Sequence, residues 1–375
     1  MLSYSTQLID QDDIDSVVQV LKSPFLTQGK KVEEFEDALC EYTGSKYAIT
    51  FNSATSALLA SYTVCGLKDE DEVITSPISF VATSNMLVNV GAKPVWCDVK
   101  LDGNIDDRLI EKLITNKTKV IVPVHFAGNP VELKKINDIA KKHDLLVIED
   151  AAHALGSSIN GQKIGSFSDM TIFSFHAIKP ITTGEGGAIL TNNEEFANKL
   201  RLFRSHGIVK KAFWNSDMTS MGHNFRLTEI AAALGISQLK KLDGFIETRN
   251  KIATYYDERF RENKLFFTPK IEKNTITSRH LYPIVLIPQL QCPKEDIYQA
   301  LQNSGIGVQV HYKPIYQNSF YKNKFGEISL SVANDFYRSE LSIPCHHKMN
   351  IDDAKFVADT LLDILDKYSH KGCSF

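Results

Sequence analysis

From Tyr47 to His153 the chain alternates short Val- and Ile-rich runs with stretches of helical periodicity, and this alternation restricts the fold more than any other feature. YAITF, EVITSP, KPVWCDV, KVIVPVH and LLVIEDAAH read as strands. NSATSALLASYTVCGL, SFVATSNMLVNVG, IDDRLIEKLIT and VELKKINDIAKKH between them read as a turn opening a helix, then helices. Strands separated by helices predict an α/β architecture with a mostly parallel central sheet covered by helices on both faces. Ligands of such sheets bind beyond the carboxyl ends of the strands, so the residues that follow each strand are the informative ones.

After the first strand come Asn52, Ser53, Ala54, Thr55 and Ser56. Small residues at a helix N-terminus let backbone N–H groups approach an anion, although Ser and Thr also serve as ordinary N-caps. The fingerprint GxGxxG is absent there, which argues against a dinucleotide site. Phe80 follows the second strand at a helix entry, where it can stack on a planar ring or pack in the core. Asp150 and His153 follow LLVIE. A carboxylate behind four apolar residues needs a partner, and a buried cation such as a protonated ring nitrogen suits it. Glu149, Asp150 and His153 can also be read as metal ligands, but no further His or Cys shares their spacing.

The run MTIFSFHAIKPITTGEGGAILTN, Met170 to Asn192, reads as two apolar strands joined by a turn and a glycine cluster, with Lys179 between them. A lysine at a buried strand end loses its proton more easily than a solvated loop lysine, and a neutral amine attacks carbonyls. Ser174 and His176 place polar groups at the mouth of the first strand. Ala54, Thr55 and Ser174 as an anion cradle, Phe80 as a ring cover, Asp150 as a cation partner, His153 as a nearby imidazole and Lys179 as the amine together describe pyridoxal phosphate chemistry.

The flanking segments are less regular. Ile14, Val17, Val18 and Leu21 fit a short helix, Pro24 and Gly29 bracket a loop, and Val32, Phe35, Ala38 and Leu39 give one helix face. NKLRLFRSHG reads as helical, and KKAFWNSDMTSMGHNFRLTEI as irregular, then helical from about Thr228 to Leu242, with Asn224 and Arg226 just before that helix. Ile246, Ile252, Tyr256 and Phe260 suggest a long connecting helix. LYPIVLI (strand), PKEDIYQALQNSG (helix), IGVQVHY (strand), LSIPC (extended) and IDDAKFVADTLLDIL (amphipathic helix) then read as a smaller α+β domain over 246–375, beside a larger domain over 1–245.

A net charge of −3 gives no broad basic footprint for nucleic acid, and no apolar run approaches a membrane span. MLSYSTQLIDQDDID lacks a basic region followed by an apolar core, so no signal peptide is expected. Cys40, Cys65, Cys97, Cys292, Cys345 and Cys373 are scattered without CxxC, which fits a reduced, cytoplasmic setting.

The segments NSATSAL, SFVAT, VIEDAAHALGS, FSFHAIKPITTGEGGAILTN, GHNFRLTEIAAALG and VHYKP resemble the DegT/DnrJ/EryC1/StrS family of sugar aminotransferases, over nearly the whole chain. The resemblance implies the type I aspartate-aminotransferase fold and pyridoxal 5'-phosphate as cofactor. It implies that Lys179 is the cofactor-attaching lysine, Asp150 the partner of the ring nitrogen, and Ala54, Thr55 and Ser174 the phosphate contacts. His153 stands where many members carry glutamine. Asn224 matches a residue that reaches the phosphate from the other subunit, which implies a homodimer with shared sites. Tyr4, the loop Pro24, Phe25, Leu26 and Thr27, the run Gln309, Val310, His311 and Tyr312, and Tyr316 match the substrate region, together with Ala54, Ser174 and Asn224. Arg226 and Lys313 are candidates for the uridine diphosphate. SPFLTQGK, FNSATSALL, PISFVAT, SFHAIKPITT and QVHYKPIYQ are most similar to members that aminate C4 of a UDP-4-keto-6-deoxy-N-acetyl sugar of the L series with L-glutamate as donor. Members acting on the D series share the cofactor set. Related dehydratases replace the lysine by histidine, and a ligand-sensing regulator would have no need of the lysine or the carboxylate; Lys179 and Asp150 are both present.

Overall fold

The computed structural model describes residues 1–290 and 292–370; Cys373 lies outside them. Strands β1 (Tyr47–Phe51), β2 (Glu72–Thr75), β3 (Lys93–Trp96), β4 (Thr118–Val122), β5 (Leu146–Asp150), β6 (Met170–Ser174) and β7 (Gly187–Thr191) form one sheet in the order β1-β7-β6-β5-β4-β2-β3. The pairs from β6 to β3 are parallel, and β7 runs antiparallel to both β1 and β6. The mostly parallel sheet expected from the alternation is therefore present.

Side chains alternate along each strand, so each sends neighbours to opposite faces. On one face Ala48, Ile121, Val147, Phe173 and Leu190 join residues of α2 (Lys30–Thr43), α6 (Leu133–Lys142) and α8 (Glu229–Leu239), among them Phe35, Ile136 and Ala232. On the other Ile49, Val120, Ile148, Ile172 and Ile189 meet Leu58 of α3 (Ala54–Val64), Leu87 of α4 (Ala82–Asn89) and Leu200 of α7 (Glu194–Arg204). A two-sided core is the reason these strands read as continuous apolar runs.

Helix α9 (Leu242–Arg259) links this layer to a second core: Phe245 and Ile246 pack with the first, Ile252 and Tyr256 with the second. The second core gathers Ile284, Leu341, Ile297 and Leu361. They come from the strands Tyr282–Leu286 and Glu340–Ile343, from a helix over Lys294–Asn303 and from the final helix Ile351–His370. The short strand Phe266–Phe267 pairs with the other edge of Tyr282–Leu286 and completes a three-stranded sheet.

Four expectations are corrected. The segment read as irregular contains an antiparallel hairpin, Ile208–Ala212 against Asn215–Met218; every residue of both strands is exposed, so no apolar alternation marks it. The helix expected over NKLRLFRSHG ends at Arg204, because His206 and Gly207 adopt positive φ (61° and 66°) and turn the chain. The helix expected from Thr228 to Leu242 is two helices, broken at Lys240–Lys241. IGVQVHY is extended but holds only single bridges, Ile306 to Leu2 and Gln309 to Ser342. At His311 its N–H donates to the Glu340 carboxylate instead of a backbone carbonyl, which stops the ladder.

Candidate active site

The carboxyl ends of β1, β2, β4, β5 and β6 open into one cavity of about 550 Å³. Each strand delivers its side chains by the turn that follows it. Ser53, Ala54 and Thr55 come after β1, Ser79 and Phe80 after β2, Asp150 and His153 at the end of β5, and Ser174 and Lys179 at the end of β6. Tyr4, His280 and the run Gln309–Tyr312 close the opposite wall.

At the start of α3 the Ser53 hydroxyl accepts from Ser56 N–H at 3.1 Å, and Ala57 N–H donates to the Ser53 carbonyl. Ala54 and Thr55 N–H have no acceptor among the described residues and line the cavity, where an anion would meet them. Gly187 makes this possible. It pairs with Phe51 on one side and Ser174 on the other, and a Cβ there would lie 2.6 Å from Ala54 N. Any side chain at 187 would push the cradle away from Ser174.

Asp150 is 5% exposed. Its Oδ2 accepts from the Thr83 hydroxyl at 2.6 Å and its Oδ1 from Ala152 N–H at 3.2 Å. Thr83 is tied in turn to the Ser79 hydroxyl at 2.8 Å. Glu149 points through the sheet to the other face, where it meets His125 Nε2 at 2.8 Å and the Thr171 hydroxyl at 3.1 Å. Glu149, Asp150 and His153 therefore do not converge as metal ligands, and no metal-binding cluster occurs among the described residues.

Lys179 lies in a turn held by its own N–H to the His176 carbonyl (2.9 Å), by Thr183 N–H to Phe175 O and by Phe175 N–H to Gly186 O. The Ser5 hydroxyl donates to Ile178 O, so the N-terminal segment braces the same turn. Burial pushes the Lys179 amine down to about 8, against the attraction of Asp150. Burial, with the Lys179 charge adding to it, holds the His153 imidazole well below its usual range, so it is neutral. Its Nε2 is 3.2 Å from the Tyr312 hydroxyl, and its buried Nδ1 has no partner among the described residues. His280 lies beside it, its ring tilted by 46° with centroids 4.3 Å apart. Phe80 is 61% exposed and presents its ring to the cavity, 6.4 Å from that of Tyr312.

The donors and acceptors suit pyridoxal phosphate. Unpartnered N–H groups and the Ser174 hydroxyl suit the phosphate, a held carboxylate suits a ring N–H, and a lysine of lowered pKa suits the aldehyde. Bound there, pyridoxal phosphate would supply an aldehyde that condenses with amines and a pyridinium ring that takes up an electron pair. The chain's own part would then be to hold the Asp150 carboxylate, fixed by Thr83 and Ala152, for a ring N–H and to carry a proton on and off Lys179 Nζ.

Of the residues singled out from sequence, Tyr4, Ala54, Thr55, Phe80, Asp150, His153, Ser174, Lys179, Gln309, Val310, His311 and Tyr312 line this cavity. Tyr316 does not. It is 1% exposed, packs edge-on against Trp96 and donates to Asn334 Oδ1 at 2.7 Å. Pro24 and Phe25 line a separate surface groove, and Leu26 O accepts from Glu229 N–H near it, with Thr27 next in that loop. Asn224 and Lys313 are exposed, Arg226 is half-buried, and none of the three lines the cavity of this protomer. Sequence reasoning gave no role to Thr83 or His280. Thr83 lies three residues beyond Phe80 and could have been found as the hydroxyl facing the end of β5. His280 sits in an irregular loop far along the chain and carries no local signal.

A model of the DegT/DnrJ/EryC1/StrS aminotransferase family matches residues 7–362. The UDP-4-amino-4,6-dideoxy-N-acetyl-beta-L-altrosamine transaminase of Campylobacter jejuni is 53% identical, with 100% of both chains covered. The transaminase of the same name from Helicobacter pylori is 46% identical over 98% of each. Among solved structures, Helicobacter pylori PseC, an aminotransferase involved in the biosynthesis of pseudoaminic acid, superposes with a TM-score of 0.95, covering 98% of this chain and 99% of that one at 46% identity. The PLP-form of the putative sugar aminotransferase Spr1654 from Streptococcus pneumoniae does so at 0.92, covering 98% and 99% at 30% identity. The strand-end lysine, the held carboxylate and these full-length similarities agree: the chain belongs to the DegT/DnrJ/EryC1/StrS aminotransferase family.

Proposed function

We propose that this chain is a pyridoxal phosphate-dependent C4 aminotransferase of a nucleotide sugar. It converts UDP-2-acetamido-2,6-dideoxy-beta-L-arabino-hex-4-ulose to UDP-4-amino-4,6-dideoxy-N-acetyl-beta-L-altrosamine, with L-glutamate as amino donor, in pseudaminic acid biosynthesis. The observation that carries the chemistry is the placement of Asp150 at the end of β5 and of Lys179 in the turn after the neighbouring β6, around a cradle of free N–H groups. The substrate rests on full-length similarity to transaminases named for that product.

The enzyme works as a homodimer with shared sites. Asn224 is exposed, and the hairpin just before it carries Phe213 and Trp214 at its tip, 106% and 85% exposed, a costly arrangement for a chain that stays alone. Its place of action is the cytoplasm: Cys40, Cys65, Cys97 and Cys345 are thiols, and no described helix is long and apolar enough to cross a membrane.

The test uses purified protein loaded with pyridoxal phosphate, L-glutamate and two UDP-4-keto sugars, one of each series, with the product identified by NMR. Amination of the L-series sugar at C4 is expected. Preference for the D-series sugar would overturn the substrate and leave the chemistry standing. A protein that pyridoxal phosphate cannot turn yellow would overturn both.

A further inference from the structure

Behind the sugar-side wall of the cavity lies a chain of polar groups that the chemistry above does not use. His311 lines the cavity, and its Nδ1 points away to the Ser342 hydroxyl at 2.9 Å. The same hydroxyl meets Glu340 Oε1 at 2.5 Å, and Glu340 Oε2 accepts from His311 N–H at 2.7 Å. Glu340 is fully buried and Ser342 is 1% exposed. No described residue takes His311 Nε2, which is the ring atom left for the cavity.

A serine hydroxyl has one proton, so its two neighbours cannot both be acceptors. With Glu340 ionised, Ser342 donates to Oε1 and accepts from His311 Nδ1–H, leaving Nε2 as a bare acceptor. With Glu340 protonated on Oε1, the order reverses: the carboxyl donates to Ser342, Ser342 donates to Nδ1, and Nε2 carries the hydrogen.

We propose that Glu340, Ser342 and His311 form a proton wire whose cavity end is His311 Nε2. In one passage Glu340 gives its proton to Ser342 Oγ, Ser342 gives its own to His311 Nδ1, and the Nε2 proton leaves into the cavity. One proton moves out and no electrons are transferred. Glu340 and Ser342 are thus positioning residues, which set whether the cavity meets a donor or an acceptor at His311. This deepens the sugar-aminotransferase reading only in its consequence, control of a hydrogen bond to the sugar. The wire itself stands on geometry alone.

Burial pushes the Glu340 carboxyl up to about 8, against the hydrogen bonds from Ser342 and His311 N–H and the charge of Lys294. The other titratable groups around the wire are Tyr4 and Tyr312, beside the His311 ring, and Lys179, His153 and His280 across the cavity. Burial, then Lys179, hold the His311 imidazole down to about 3, so the ring stays neutral while Glu340 titrates.

The experiment is nitrogen-15 NMR of histidine-labelled holoenzyme, with His311 assigned by the signal lost in His311→Asn. At about pH 9, above the carboxyl's range, wild type should show Nδ1–H. Glu340→Gln should show Nε2–H, since the amide oxygen must accept from His311 N–H and its NH₂ then donates to Ser342. Ser342→Thr keeps the hydroxyl and should keep the wild-type tautomer and its change with pH; Ser342→Ala should abolish that change. The same tautomer in wild type and Glu340→Gln, or a change with pH that survives Ser342→Ala, would overturn the wire. If Glu340→Gln does not fold, the comparison of the two Ser342 variants decides alone. None of these readouts needs substrate, so the wire fails or holds independently of the sugar assigned above.

Discussion

The Thr83 hydroxyl, at the start of α4, donates a 2.6 Å hydrogen bond to the Asp150 carboxylate at the end of β5. Thr83→Val removes that donor while keeping the side-chain shape. A hydrogen bond to a charged group contributes about 1.5–3 kcal/mol, so kcat/KM should fall roughly ten- to a hundredfold with little change in fold. Steady-state kinetics with circular dichroism check this; an unchanged kcat/KM would remove Thr83 from the machinery.

Lys179 is held down to about 8 by its burial. The neutral amine is the form that attacks an aldehyde, so attachment of added pyridoxal phosphate to the apo-protein should quicken as pH rises. Going from pH 7 to 8 should raise the rate about fivefold, with a plateau by about pH 9. Stopped-flow absorbance follows it. A rate still climbing at pH 10 would indicate an ordinary solvated lysine, and borohydride trapping should place the label on Lys179 and none on Lys179→Ala.

Gly187→Ala places a methyl 2.6 Å from Ala54 N, against backbone that has no side chain to move. We expect a loss of about 1–3 kcal/mol in stability and weaker retention of the phosphate cofactor. Thermal melts and cofactor titration measure the two effects. An alanine variant that keeps both would mean that the β1–β7 edge yields to the methyl and does not set the cradle.

Acid should weaken the fold through its buried histidines. Burial holds His311 and His347 down to about 3 and His346 to about 4, below the ordinary value near 6.5 that the unfolded chain restores. Between those limits the unfolded state binds more protons, so stability is lost as pH falls from 6.5. Each such group contributes a slope of about 1.4 kcal/mol per pH unit. His347 stacks on Phe245 with centroids 4.1 Å apart, and His347→Gln should flatten the slope by one group. Denaturant melts at successive pH values test it.

The proposed dimer with shared sites predicts complementation. Co-expressed Lys179→Ala and Asn224→Ala subunits should form mixed dimers with one intact site each, and activity should return although either variant alone is inactive or nearly so. No recovery, with mixed dimers shown by mass spectrometry, would count against the shared site.

The large sheet and the cofactor side of the cavity were legible in the sequence because burial on two faces leaves a plain record. The runs ending at Phe51, Asp150 and Ser174 are mostly apolar and almost wholly buried, and the residues at and just beyond their ends are the informative ones. The exposed hairpin at 208–218 left no such record, since none of its side chains is buried. Tyr316 matches the substrate region by resemblance to the family, but Pro314 and the turn after it carry the chain into an aromatic cluster around Trp96, away from the cavity. His280 and the Glu340–Ser342 pair are joined to the site by tertiary packing alone, which one-dimensional patterns do not encode.

The turn bearing Lys179 joins β6 to β7, which are hydrogen-bonded neighbours, and β6 lies beside the strand that ends in Asp150. The Lys179 amine and the Asp150 carboxylate are thus indexed to each other by neighbouring strands of one sheet. The opposite wall of the cavity, the proposed sugar side, is made of segments remote in sequence, from Tyr4 to Tyr312. Divergence can retool that wall for another hexose, insertion by insertion, while the spacing of the chemistry stays where the sheet keeps it.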